Sequence, residues 1–209
     1  MLSQKIFAIA HYADQIVLIV LAIMSVVSIG MILERFLFLK KISDASQKTR
    51  LQIKMALQSN SLQDFEEIAK DPSSLEGRAA SQVIKHMRQS GTEGVEEVFN
   101  TFLLTEKPEL ERFLGVLATI ASNAPFIGLL GTVLGIMKAF NDLAASTDAG
   151  QQTVMAGISV ALVATAAGLF VAIPTGIFYN YFTRKVKGIV SSLESVKELG
   201  LAYAKKKGA

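Results

Sequence analysis

Three stretches of this chain run without a charged side chain for long enough to cross a bilayer, and this constrains the fold more than any other feature. They are Gln15 to Leu33 (19 residues), Phe113 to Met137 (25 residues) and Ala149 to Thr183 (35 residues). About 20 apolar residues, each rising 1.5 Å along a helix, cross the hydrocarbon core. With no water there to bond the backbone, such a segment must close its own amide hydrogen bonds, as a helix does. The composition agrees: 51% of residues are hydrophobic and only 19% charged, with a mean hydropathy of +0.41. No cysteine is present, which excludes disulfides, thiolate metal sites and cysteine nucleophiles. The two histidines, His11 and His86, are far apart in sequence. No nucleotide-binding loop, catalytic triad or metal-ligand spacing is visible. An enzyme, a cofactor and a metal site are therefore not expected.

Lysine and arginine orient the spans. Twelve lie between Arg35 and Arg112 and seven between Arg184 and Lys207, of 21 in the chain. The connection from Asn141 to Thr153 holds Asp142 and Asp148 and no basic residue. Basic segments stay on the inner side of a membrane. The expected organisation is an outer N-terminus over 1–14, a span at 15–33, an inner helical segment over 34–112, a span at 113–140, an outer loop at 141–153, a span at 154–182 and an inner C-terminal helix over 183–209. The first span runs directly into Glu34-Arg35 with no convincing small-residue cleavage site, so it reads as a retained anchor rather than a signal peptide.

The inner segment reads as short helices. Ser61 is a candidate N-cap with Asp64 three residues on, and Asp71-Pro72 is a stop. The amphipathic stretch from Ser74 closes at Gly91. Val95, Val98, Phe99 and Phe102 share a face. Pro108 is expected to open the helix leading into the second span. Beyond the third span the pattern Val186, Ile189, Val190, Leu193, Val196 continues, so that span is expected to run on as one helix of roughly 75 Å.

The second and third spans are unlike plain lipid anchors. Gly128, Thr132, Gly135 and Ala139 follow one another on one helical face, as do Gly157, Ala161, Thr165, Gly168 and Ala172; Gly131 and Gly135 form a further small pair. Small residues let helices approach closely in lipid. These faces are expected to build a ring with a lumen, leaving the conventionally apolar first span toward lipid. Pro125 and Pro174 each remove a helix hydrogen bond, to the carbonyls of Ala121 and Phe170. Thr132 and Thr165 admit two readings. In one, each hydroxyl bonds the carbonyl four residues back, at Gly128 and Ala161. In the other, two groups able to donate and accept line a path for a proton or cation. No Asp, Glu, Lys, Arg or His lies in the interior of the spans, Lys138 standing at the end of the second. Intramembrane proton carriers are usually such residues, so a proton-moving role requires a titrating group from another chain.

The sequences APFIGLLGTVLGIMKAF (124–140) and ALVATAAGLFVAIPTGIFYNYF (161–182) strongly resemble the MotA/TolQ/ExbB proton-channel family. Three spans with a large inner segment between the first two resemble the ExbB/TolQ branch. The resemblance implies an all-α integral membrane protein of the bacterial inner membrane. Its N-terminus would be periplasmic and its long helical extensions cytoplasmic, with the copies assembled as a homopentameric ring. It implies as partner a dimer of an ExbD/TolR-like single-span protein whose aspartate carries the proton, and a TonB/TolA-like protein beyond. The proton motive force would then drive work at the cell envelope, with Thr132 and Thr165 as pore-facing residues. The family's usual glutamate five residues before the second threonine is Val160 here. The competing reading is a passive scaffold or autonomous small channel.

Overall fold

A computed structural model describes residues 2–59, 62–145 and 151–208. Ser61, the expected N-cap, lies outside them. The described chain is helical: α1 (Leu2–Ser59), α2 (Leu62–Ile68), α3 (Leu75–Ser90), α4 (Val95–Leu110), α5 (Leu114–Ala145) and α6 (Gln151–Gly208). Three of these, α1, α5 and α6, are long and apolar enough to cross a membrane. The chain divides into two units, Met1–Leu33 with Phe113–Asn180, and Glu34–Arg112 with Tyr181–Ala209.

The first unit is an inside-out bundle. Its core is small and apolar: Val17 and Leu21 from α1, Ile120 and Ala124 from α5, and Ala164, Val171 and Ala172 from α6. Bulky side chains point outward instead, among them Ile23, Val26, Phe126, Phe170 and Ile173. In water such a surface would drive aggregation, whereas hydrocarbon solvates it at no cost. Pro125 and Pro174 lie inside α5 and α6, and both helices continue through them.

The second unit packs like a soluble domain. Phe65, Ile68, Val83, Phe99, Phe102, Phe182, Ile189, Leu193 and Val196 are buried, and the Phe65 ring lies 5.3 Å from that of Tyr203. Ser74 caps α3 by accepting the Gly77 N–H at 3.0 Å. Gly91 ends the same helix with φ 85, its N–H donating to the Met87 carbonyl, because a left-handed residue stops a helix with little steric cost only when it is glycine.

Two buried charges hold this unit together. The Arg35 side chain is fully buried, donating to the Glu109 carbonyl at 2.7 Å and to the Glu34 carboxylate at 2.5 Å, 4.4 Å from the Phe38 ring. Glu76, also fully buried, accepts from Ser46 of α1 at 2.6 Å and Ser192 of α6 at 2.8 Å. The Arg50 Nε is 3.6 Å from it.

One expectation is corrected here. Pro108 does not open the helix of the second span but lies within the last turn of α4. The break follows at Phe113, which takes a positive φ of 63. That conformation is uncommon for a bulky residue and falls in the short break between α4 and α5, where the proline does not.

Candidate functional site

The two smooth faces meet within one chain. A Cβ placed on Gly128 would stand 2.6 Å from the Ala164 carbonyl oxygen and 3.2 Å from the Gly168 Cα; one on Gly168 would stand 2.6 Å from the Ala124 carbonyl oxygen. Further along, Gly135 faces Ala161, Gly157 faces Ala139, and Gly131 faces both Ala164 and Val17 of α1. Gly128, Gly135, Gly157 and Gly168, expected to build an assembly, thus bring α5 and α6 together within the chain.

That close approach determines what the threonines do. Thr132 is 8% exposed, and its hydroxyl lies 3.3 Å from the Gly128 carbonyl of its own helix and 3.3 Å from the Ala161 carbonyl of α6. Thr165, half-buried, reaches across to the same Gly128 carbonyl at 3.3 Å. The Thr132 and Thr165 hydroxyls also bond to each other. Bonding back to the own helix therefore holds for Thr132. Thr165 turns to the carbonyl of the neighbouring helix, and Ala161, its expected acceptor, receives Thr132. The physical reason is the Gly128–Gly168 contact, which brings a carbonyl of one helix within reach of the other's hydroxyl.

Two hydroxyls and two carbonyls make a small switchable network. When Thr165 donates to Gly128, Thr132 is free to donate to Thr165. When Thr165 donates to Thr132, Thr132 donates to Ala161 or Gly128. A hydroxyl carries one proton and two lone pairs, so both patterns satisfy every donor, and the passage from one to the other reverses the direction of the chain of bonds.

Pro125, Gly128, Gly131, Gly135, Ala161, Gly168 and Pro174 all lie on the two helices that carry this pair. Val160 is exposed and borders a cavity of about 230 Å³ beside Gly135 and Ala161. Its charged lining residues are Lys138 and Asp142. Sequence reasoning singled out the threonines and the Gly128 and Ala161 carbonyls but missed that the bonds cross between the helices, because helix pairing carries no local sequence signature. The one available signal was the glycine one turn before Thr132 facing a glycine almost one turn after Thr165.

Residues 71–195 match the model of the MotA/TolQ/ExbB proton channel family. Among curated proteins, the chain is 46% identical over 88 residues to the biopolymer transport protein ExbB of Aquifex aeolicus, covering 42% of this chain and 60% of the relative. It is 44% identical over 98 residues to the Tol-Pal system protein TolQ of Pseudomonas aeruginosa, covering 47% and 42%. It is 34% identical over 152 residues to the ExbB of Pseudomonas putida, covering 69% and 46%. The chain spans about half the length of the curated relatives it matches.

Proposed function

The chain belongs to the MotA/TolQ/ExbB proton channel family, in its ExbB/TolQ-like branch, and from that premise we propose that it is the channel subunit of an inner-membrane motor. Proton flow would be coupled to work at the cell envelope, either the energising of outer-membrane transport or the maintenance of envelope integrity. The observation that carries this reading is the Thr132–Thr165 pair, two hydroxyls bonded to each other in a bundle whose spans hold no Asp, Glu, Lys, Arg or His in their interior.

In this reading five copies form a ring around two single-span partner helices of the ExbD/TolR kind, whose aspartate brings the charge the spans lack. A TonB/TolA-like protein would take up the motion. The N-terminus is periplasmic and residues 34–112 are cytoplasmic, as the basic residues favour. Thr165, the less buried hydroxyl, accepts a hydrogen bond from the partner's carboxyl while it is protonated and donates to the carboxylate once the proton has left to water; Thr132 stands behind it and takes up the complementary bonding pattern. Moving one charge through 100 mV supplies about 2.3 kcal/mol, so a few protons suffice to bias a step between closely matched states.

A second reading has an observation of its own. Thr132 is nearly fully buried between α5 and α6, as a packing residue in a passive scaffold or autonomous channel would be. Complementation with Thr132→Val and Thr165→Val separates the two. Valine keeps the shape and removes the hydroxyl. Lost envelope function with the assembly retained supports the motor; full function in both variants assigns the threonines to packing.

A further inference from the structure

Where the uncharged stretches end, two helices carry the same short pattern. On α1, the exposed Leu37 (67%) is followed three and four residues on by Lys40 and Lys41, both exposed. On α6, the exposed Tyr181 (42%) is followed at the same spacings by Arg184 and Lys185, with Lys187 beyond. Residues three and four apart share a helix face. Each helix therefore sets an apolar side chain on the span side of two cations. Phe36 adds to the first cluster as a second exposed apolar residue. In the second, the Lys185 Nζ lies 5.8 Å from the Tyr181 ring centroid, and Gly188 leaves open space one turn further on.

No ion pair among the described residues neutralises the charges in these clusters. Elsewhere in the same unit Arg35 pairs with Glu34, Arg78 with Glu106, Lys107 with Glu111, Arg112 with Glu109 and Lys197 with Glu96. Among the described residues, no carboxylate pairs with Lys40, Lys41, Arg184, Lys185 or Lys187. An acidic protein partner would meet the cations but would leave Leu37 and Phe36 uncovered. A molecule with an anionic head and a hydrocarbon tail covers both, the head among the cations and the tail along the apolar side chain.

We infer that the Leu37/Lys40/Lys41 and Tyr181/Arg184/Lys185/Lys187 clusters seat the headgroups of anionic phospholipids in the leaflet facing residues 34–112. The inference is independent of the proton-path reading, and its test reads lipid rather than proton work. The full chain is reconstituted in vesicles of equal phosphatidylglycerol and phosphatidylcholine, released, and weighed with its retained lipids by native mass spectrometry. Phosphatidylglycerol should be retained preferentially, with roughly a fivefold loss for each cation removed in Lys40→Gln/Lys41→Gln and Arg184→Gln/Lys185→Gln. Because these residues also help orient the chain, a salt titration of the unaltered protein is the second measurement, and the preference should fall as added salt screens the charges. Equal retention of the two lipids by the unaltered protein would overturn the inference. So would a preference that neither salt nor the double substitutions reduce.

Discussion

Gly128→Ala should disable the threonine network without touching a hydroxyl. The added methyl would stand 2.6 Å from the Ala164 carbonyl oxygen, 3.1 Å from the Thr165 Cα and 3.2 Å from the Gly168 Cα. All three are backbone atoms, which no rotamer change can move. Ordinary contact needs about 3.5 Å, so α5 and α6 must part by roughly 0.5–1 Å. The bonds from Thr132 to Ala161 and from Thr165 to Gly128 are already 3.3 Å long, and that displacement takes them past hydrogen-bonding distance. Overpacking costs about 1–3 kcal/mol and each of the two lost bonds about 0.5–1.5 kcal/mol, giving roughly 2–6 kcal/mol. The melting temperature, followed by circular dichroism in mild detergent, should fall by about 5–20 °C. Gly115→Ala is the control, since nothing lies within 4 Å of a Cβ there. If Gly128→Ala melted with the unaltered protein, α5 and α6 would not be in backbone contact and the proposed network would not exist.

Two other sites give further expectations. Glu76→Ala strands the Ser46 and Ser192 hydroxyls and removes the carboxylate beside Arg50, which should cost about 2–4 kcal/mol; Glu76→Gln keeps an acceptor and should cost about half, both read from thermal melts. The Ser73 hydroxyl, 2.5 Å from Asp71, holds that carboxyl below its ordinary value of 3.8, against a smaller opposing effect of burial and with help from the Ser73 N–H, Thr49 and Ser74. A lowered folded-state value means the stabilisation is complete above the ordinary value and is lost as pH falls through the folded one. Asp71→Asn should therefore flatten the acid limb of a stability–pH profile and leave the neutral region parallel to the unaltered protein.

The all-helical class and three membrane-capable helices were legible because both are one-dimensional signals, carried by length and by the absence of charge. The threonines were legible as residue types, being the hydroxyls central to two smooth faces. Their partnership was not. Whether Gly128, Gly135, Ala161 and Gly168 meet within a chain or between chains is a question of helix pairing, and a small-residue face looks the same in either case. Phe113 shows a different limit. A positive φ at a phenylalanine has no sequence signal, and the nearby Pro108 drew the expected boundary toward itself. The buried Glu76 was equally silent, because a carboxylate in an amphipathic helix looks exposed until two serines from distant helices converge on it.

The most direct test of the central claim is proton flux through the complex with the proposed single-span partner, reconstituted in liposomes under an imposed potential. Unaltered protein should conduct, Thr165→Ser should retain part of the flux, and Thr165→Val should lose at least tenfold, about 1.4 kcal/mol in barrier height, while the complex stays intact by mass. A Thr165→Val complex that conducts as well as the unaltered one would contradict the account and place the proton path outside the threonine pair.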